Sequence, residues 1–325
     1  MRAPLLMLPF AALVLVSLLA RWQVQEAREE RFFGERILYH RHLRPPMQPL
    51  AVFRLLGFRV SEVPDARPRV PRRFLAALPK KMGEVRDTKL RKEIFLTLVL
   101  PLVLRADELL AEDRALLLQL ERKVQNGQRL QRIEGRWLDA QGRRFGIAQG
   151  LTVASPAWFA EMKRRLDTIP PSLALAQSAI ESGWGTARFA REGNALYGQW
   201  TWKDSERGIV PLRRPPGARY RIRAFDYLID SVRAYMLNLN RNPAYRELRA
   251  RRAARRAAGR PLGGLELTPF LDQYSTRREA YTRELAALIR ANRLTRFDGV
   301  KLERRSPLAP PPPDGEAAGI EEIAR

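Results

Sequence analysis

The chain has no cysteine among its 325 residues and only two histidines, His40 and His42. The first absence excludes disulfides, zinc–thiolate sites and thiol nucleophiles, and it leaves no thiol to mispair in an oxidising compartment. The second rules out a His-based triad or a His-rich metal site. No metal or other cofactor is therefore expected, and carboxylate chemistry is the natural option. Lysine is scarce as well, supplying only eight of 59 basic side chains, which outnumber 35 acidic ones for a net charge of +24. The arginines run through every segment, which reads as compositional bias rather than one nucleic-acid groove, and no nucleic-acid-binding module is recognisable. The exception is RELRARRAARR at 246–256. As a helix it presents either a solvated Arg-rich face or a patch drawn to an acidic polymer or anionic membrane.

Long hydrophobic runs are also few. The uncharged stretch from Ala3 to Ala20 comes directly after Arg2, and as a helix it would span about 27 Å, near the thickness of a bilayer core. Cleavage after Ala20 would put Leu18 at a position that wants a small residue, so an uncleaved anchor is expected over a cleaved signal; in either case the domain is exported. A second run, Ile94 to Leu104, is too short and too flanked by charge to span and is expected in the core. Residues 21–70 mix charges with prolines and read as a juxtamembrane tether with one or two short elements. One globular domain is expected over 71–300, then a Pro-rich tail at 301–325 that cannot bury enough to fold.

Within the domain the periodicity is mainly helical. A helix starts near Lys89 and should kink or restart at Pro101. Ser155-Pro156 opens a helix to about Leu166. The glycines between Gly135 and Gly150 suggest a loop or small hairpin, and Ile209 to Ala224 an irregular hairpin. Leu228, Val232, Tyr235 and Leu239 share a helical face. Further helices begin after Pro243 and at Thr268-Pro269, and the last carries a capping box, Thr276 with Glu279, above Tyr281, Leu285 and Leu288.

The densest chemistry lies in SLALAQSAIESGWGTARFAREGNALYGQWTW at 172–202. Ser172 can cap a buried Ala-rich helix that ends in Glu181, with Gly183 and Gly185 stopping it. A carboxylate at a dry helix C-terminus, beside the negative pole of the macrodipole and the bulky Trp184, should have a raised pKa, which suits a general acid. The plainer alternative is a helix-terminal Glu paired with one of many Arg. Trp200, Trp202, Tyr197, Tyr220 and Tyr274 either line a sugar groove by ring stacking or pack the core.

ESGWG with GNALYG after it resembles the glucosaminidase family, glycoside hydrolase family 73, whose hallmark is a helix-ending Glu-Ser-x-Trp-Gly and then Gly-Asn-Asn-Leu-Phe-Gly. PLVLRADELLAEDR, RAFDYLIDSVRAYMLNLNRNPAY and YSTRREAYTRELAALIRAN are similar to its Bax branch. The resemblance implies a mainly α, lysozyme-like domain with a small β-hairpin. It implies Glu181 as catalytic acid and Tyr274 as active-site tyrosine, with Trp184, Asn194, Tyr197, Trp200 and Trp202 on the substrate. Ala195 replaces the family's second Asn, and no second carboxylate is obvious; Asp204 and Glu206 are the nearest candidates unless both lie on a solvated loop. The expected activity is hydrolysis of N-acetylglucosaminyl β-1,4 bonds in peptidoglycan glycan strands, by a periplasm-facing protein held in the inner membrane through residues 3–20. A lytic transglycosylase and an inactive wall-binding module are the rivals.

Overall fold

The computed structural model describes residues 42–63, 69–147 and 150–304. The expected anchor and nearly all of the tail lie outside them. Among the described residues no helix is long and apolar enough to cross a membrane. In chain order the regular elements are β1 (His42–Leu43), α1 (Ala51–Leu56), β2 (Arg69–Val70), β3 (Phe74–Leu75), α2 (Thr88–Gln125), α3 (Arg132–Phe145), α4 (Pro156–Arg165) and α5 (Pro171–Ser182). They continue with α6 (Arg188–Gly193), β4 (Trp200–Thr201), β5 (Gly208–Ile209), β6 (Arg221–Arg223), α7 (Leu228–Arg241), α8 (Arg246–Ala257), α9 (Glu279–Ala291) and β7 (Lys301–Leu302). Helix dominates, as expected, and the chain divides into two compact units, with α2 and α7 contributing residues to both.

The unit that carries the motif holds Ile169–Tyr235, the described residues of Tyr39–Ala106 and those from Leu262 onward. Its centre is α5, where Leu173, Ala174, Leu175, Ala176 and Ala179 are wholly buried and α9 packs alongside. From Ile94 to Ala106 α2 is buried almost all round, and Pro101 lies inside one continuous helix, so the helix does not restart there. A helix-interior proline costs about 3 kcal/mol. Ile94, Phe95, Leu98, Val99, Leu100, Leu102 and Val103 are buried around it, each contributing roughly 1.5–3 kcal/mol, so packing outweighs the lost hydrogen bond.

The expected hairpin is a three-stranded antiparallel sheet in the order β4-β6-β5, with Trp200 opposite Ile222 and Ile209 opposite Ile222 on the other side. Residues 42–63, read as tether, instead belong to the folded unit. β1 pairs parallel with β3, β2 pairs parallel with β7, and α1 buries Val52, Phe53 and Leu56. His42 sits in β1 with its ring 5.0 Å from that of Tyr227, so it is a packing residue of this unit rather than part of a tether.

The other unit comprises Asp107–Thr168 and Met236–Pro261. The loop expected at 135–150 is for the most part α3. The Glu134 side chain accepts from the Gln131 N–H at 2.7 Å, Ile133, Trp137, Leu138 and Phe145 form one buried face, and Gly146 ends the helix in a left-handed conformation. Glycine cost is overcome here by an amphipathic face. α4 begins as expected, with the Ser155 hydroxyl accepting from the Trp158 N–H.

In the same unit the Arg run forms α8, and its two sides differ. Arg249 and Arg252 are buried, with Arg252 fully inaccessible. Arg249 donates to the carbonyls of Leu239 and Asn242, closing the end of α7, and Arg252 donates to those of Arg164 and Thr168 at 3.0 Å, closing α4. Helix C-termini leave carbonyls without partners, and guanidinium forks satisfy several at once. Asp167 supplies the counter-charge, meeting Arg256 at 2.5 Å, Arg252 at 3.7 Å and Arg114 at 3.8 Å. Two of the six arginines of the run are thus internal architecture, which corrects the reading of a solvated or polymer-binding face for Arg249 and Arg252.

Candidate active site

Glu181 occupies the last turn of α5, whose C-cap, Gly183, takes φ 55°. The cap at the other end differs from expectation. Pro170 holds the N-cap position, and Ser172 instead receives Asp298, whose carboxylate accepts from both its N–H and its hydroxyl at 2.8 Å. After the helix, the Ser182 hydroxyl donates to the Ser178 carbonyl at 2.6 Å and accepts from the Gly185 N–H at 3.0 Å. That pair of bonds holds the turn in which Trp184 takes the rare φ of 58°. Gly185 is required there, since a Cβ would lie 3.0 Å from the Phe95 ring and its φ is 81°.

The Glu181 carboxyl is largely enclosed. Tyr281, from α9, donates its hydroxyl to Oε1 at 3.0 Å. The same hydroxyl accepts from Gln177 Nε2 at 3.0 Å, and Gln177 Oε1 accepts from Tyr235 at 2.7 Å. Gln177 is buried one turn before Glu181, so α5 presents the acid and its relay on one face. Oε2 faces Gly198, the last glycine of GNALYG, where a Cβ would stand 3.7 Å away and φ is 60°. Burial pushes the Glu181 pKa above the ordinary value; the Tyr281 hydrogen bond and Arg277 oppose this, and Glu284 adds to it. The shift is toward the protonated form, the direction a general acid needs.

The tyrosine that bonds the acid is Tyr281, and Tyr274, the tyrosine expected in the active site, lies directly behind it. Tyr274 stacks on Tyr281 with centroids 5.7 Å apart and donates its hydroxyl to the Tyr197 carbonyl at 3.2 Å. Tyr197 itself is only 2% exposed and stacks on Tyr235 at 4.0 Å, so it packs beneath the site rather than lining a groove. Asn194 is buried, its amide donating to the Phe225 and Asp226 carbonyls at 3.1 Å; it clamps the loop entering α7. Ala195 beside it is also buried. The Trp184 ring meets Phe95 edge-on and carries Lys92 over its face at 4.9 Å.

Trp200 and Trp202 are 55% and 62% exposed. Trp200 lies flat against Tyr220 at 4.5 Å, and Trp202 is tilted against Trp200 at 5.8 Å. These rings form an aromatic ledge on the sheet, starting two residues beyond Gly198. Of the acidic candidates, Asp204 is exposed and 3.8 Å from Arg221. Glu206 accepts from the Thr201 hydroxyl at 2.6 Å and sits 3.6 Å from Lys203 and Arg223. The Thr201 hydrogen bond holds its carboxyl below the usual range against partial burial, with Arg223 and Lys203 helping. Among the described residues no three His, Asp or Glu side chains gather as a metal site.

The sequence pattern does not single out Tyr281 or Gln177 as a site residue. The signal for Gln177 is its being the one polar amide inside an apolar helix, one turn before the acid.

A buried helix that ends in an enclosed glutamate beside an exposed aromatic ledge fits a glycan-cleaving domain. Residues 157–294 match the family model Glucosaminidase, mannosyl-glycoprotein endo-beta-N-acetylglucosaminidase. Over 209 residues the chain is 27% identical to Protein bax of Escherichia coli (strain K12), covering 62% of this chain and 70% of that protein, in line with the resemblance to the Bax branch. No solved structure matches the chain.

Proposed function

We propose that this protein hydrolyses N-acetylglucosaminyl β-1,4 bonds of peptidoglycan, with Glu181 as the proton donor. The observation that carries the reading is the Glu181 carboxyl itself, enclosed at the end of α5, hydrogen-bonded by Tyr281 and shifted toward its protonated form. The acid would protonate the glycosidic oxygen as the bond to C1 breaks, while Tyr281 keeps the carboxyl oriented and stabilises the carboxylate left behind. Asp204 and Glu206 are both engaged by basic side chains on the sheet. A route that needs only one protein carboxylate accommodates this: the substrate's own acetamido oxygen attacks C1, and water then opens the cyclic intermediate.

One carboxylate would equally serve a lytic transglycosylase, in which a sugar hydroxyl attacks C1 instead of water. Digestion of purified peptidoglycan decides between them. A new reducing N-acetylglucosamine end supports the hydrolase, anhydro sugars support the transglycosylase, and no release alongside retained binding leaves a wall-binding module. We further propose that Ala3–Ala20 stays on the mature protein as an inner-membrane anchor with the domain facing the periplasm. Mass spectrometry of the native N-terminus tests it, and a start near Arg21 would refute it.

A further inference from the structure

The sheet just beyond the acid combines exposed aromatic rings with an excess of positive charge. Residues 199–224 hold seven basic and two acidic side chains, and both acids are already paired, Asp204 with Arg221 and Glu206 with Lys203 and Arg223. Arg213 and Arg219 are exposed at the tip of the β5–β6 loop, and no acidic group among the described residues meets them. Arg214 beside them bonds only the Tyr220 carbonyl, which holds that ring against Trp200. Leu212, 88% exposed, adds an apolar tip. The lobe therefore offers two kinds of recognition at once, a flat aromatic ledge and unsatisfied cations.

A neutral glycan would use only the ledge, since pyranose faces stack on rings but offer nothing for a guanidinium fork to neutralise. Arginine clusters recognise carboxylates and phosphates. We infer that this lobe selects glycan strands whose sugars carry carboxylates, as strands with acidic peptide substituents do, by stacking on Trp200 and Trp202 while Arg213 and Arg219 pair with the substituents. The inference deepens the hydrolase reading and rests on it. The ledge starts two residues from Gly198, which lines the acid, so a strand lying on the rings is continuous with the bond to be cut.

The test is retention of the full chain on insoluble wall glycan with its carboxyl groups free and on the same glycan after carbodiimide coupling to methylamine has capped them as neutral amides, for the wild type and for R213E/R219E. Wild-type retention should favour the uncapped glycan by about fivefold to tenfold at low salt and lose that preference at high salt. The double substitution should abolish the preference with an unchanged melting temperature, because both side chains are exposed. Equal retention on the two glycans, or a preference that survives R213E/R219E, overturns the inference. So does arginine-dependent co-sedimentation with phosphatidylglycerol vesicles in the absence of any glycan preference, which would assign the lobe to a membrane. Product release is measured separately: a preference in retention with no bond cleavage removes the hydrolase reading and leaves a wall-binding lobe.

Discussion

The Tyr281 hydroxyl reaches the Glu181 carboxylate across a hundred residues of sequence, at 3.0 Å. It is also the acceptor for Gln177, so its proton has one direction to point, toward the acid. The bond therefore fixes the carboxyl in rotation, and it moderates what burial does to the pKa, because a donated hydrogen bond favours the ionised form. Burial still dominates.

Tyr281→Phe removes the side-chain hydrogen bond to the acid and leaves Gln177 Nε2 without this acceptor. The pKa of Glu181 should rise further, so the basic limb of the pH–rate profile moves to higher pH, while turnover at its optimum falls through loss of orientation. Stability should drop by about 1–3 kcal/mol for the stranded buried amide. A pH profile that superimposes on the wild type would remove Tyr281 from the positioning role.

Glu181→Gln should lower muropeptide release on the order of 10²–10⁴-fold and stabilise the fold at neutral pH. The sign comes from the raised pKa. The folded state holds the proton more tightly than the unfolded state, so wild-type stability declines as pH rises from the ordinary glutamate range through the folded value. The amide carries no such dependence. Thermal unfolding across pH should show the variant ahead at pH 7 and the gap closing below the ordinary glutamate range.

The features legible in the sequence are those that local chemistry decides. Glu181 falls at a helix end because Gly183 and Gly185 terminate α5 whatever surrounds it, and Ser155-Pro156 starts α4 for the same reason. Trp200 and Trp202 stand out by clustering. The partners of those residues are hidden because they come from far along the chain: Tyr281 for the acid, Asp298 for the start of α5, 126 residues from Ser172. Where propensity and packing conflict, packing wins, as at Pro101 within α2 and the glycines of α3. Thr276 illustrates the reverse limit. It has the spacing of a capping box, yet α9 starts at Glu279 behind Arg278 with φ 44° and no side-chain cap, because the tight turn after Tyr274 takes those residues first.

Tyr274→Phe separates two tyrosines that sequence alone confuses. Its hydroxyl bonds the Tyr197 carbonyl, so its removal should lower stability by about 1 kcal/mol and leave Glu181 still bonded by Tyr281. Turnover should then track the loss of stability. A tenfold fall in turnover at an unchanged melting temperature would instead place Tyr274 on the substrate.

Asp167→Asn tests the arginine hub in the second unit. Burial alone would push the Asp167 carboxyl up, but Arg252, the Arg256 hydrogen bond and Arg114 together hold it below the ordinary aspartate value. Arg252 in turn has no water to fall back on, and burial brings its guanidinium down to about 10, which still leaves it charged at neutral pH. The amide keeps the shape of the side chain and removes the anion that faces Arg252, Arg256 and Arg114, so a buried cation is left uncompensated, at a cost of about 3–5 kcal/mol. Because the native carboxyl has a depressed pKa, its stabilisation is present above the unfolded aspartate pKa and is lost as pH falls through the folded value. Denaturant titrations of wild type and variant should therefore differ most at neutral pH and converge only in strong acid. A variant as stable as the wild type at pH 7 would mean that the carbonyls at the ends of α4 and α7, rather than Asp167, hold these arginines in place.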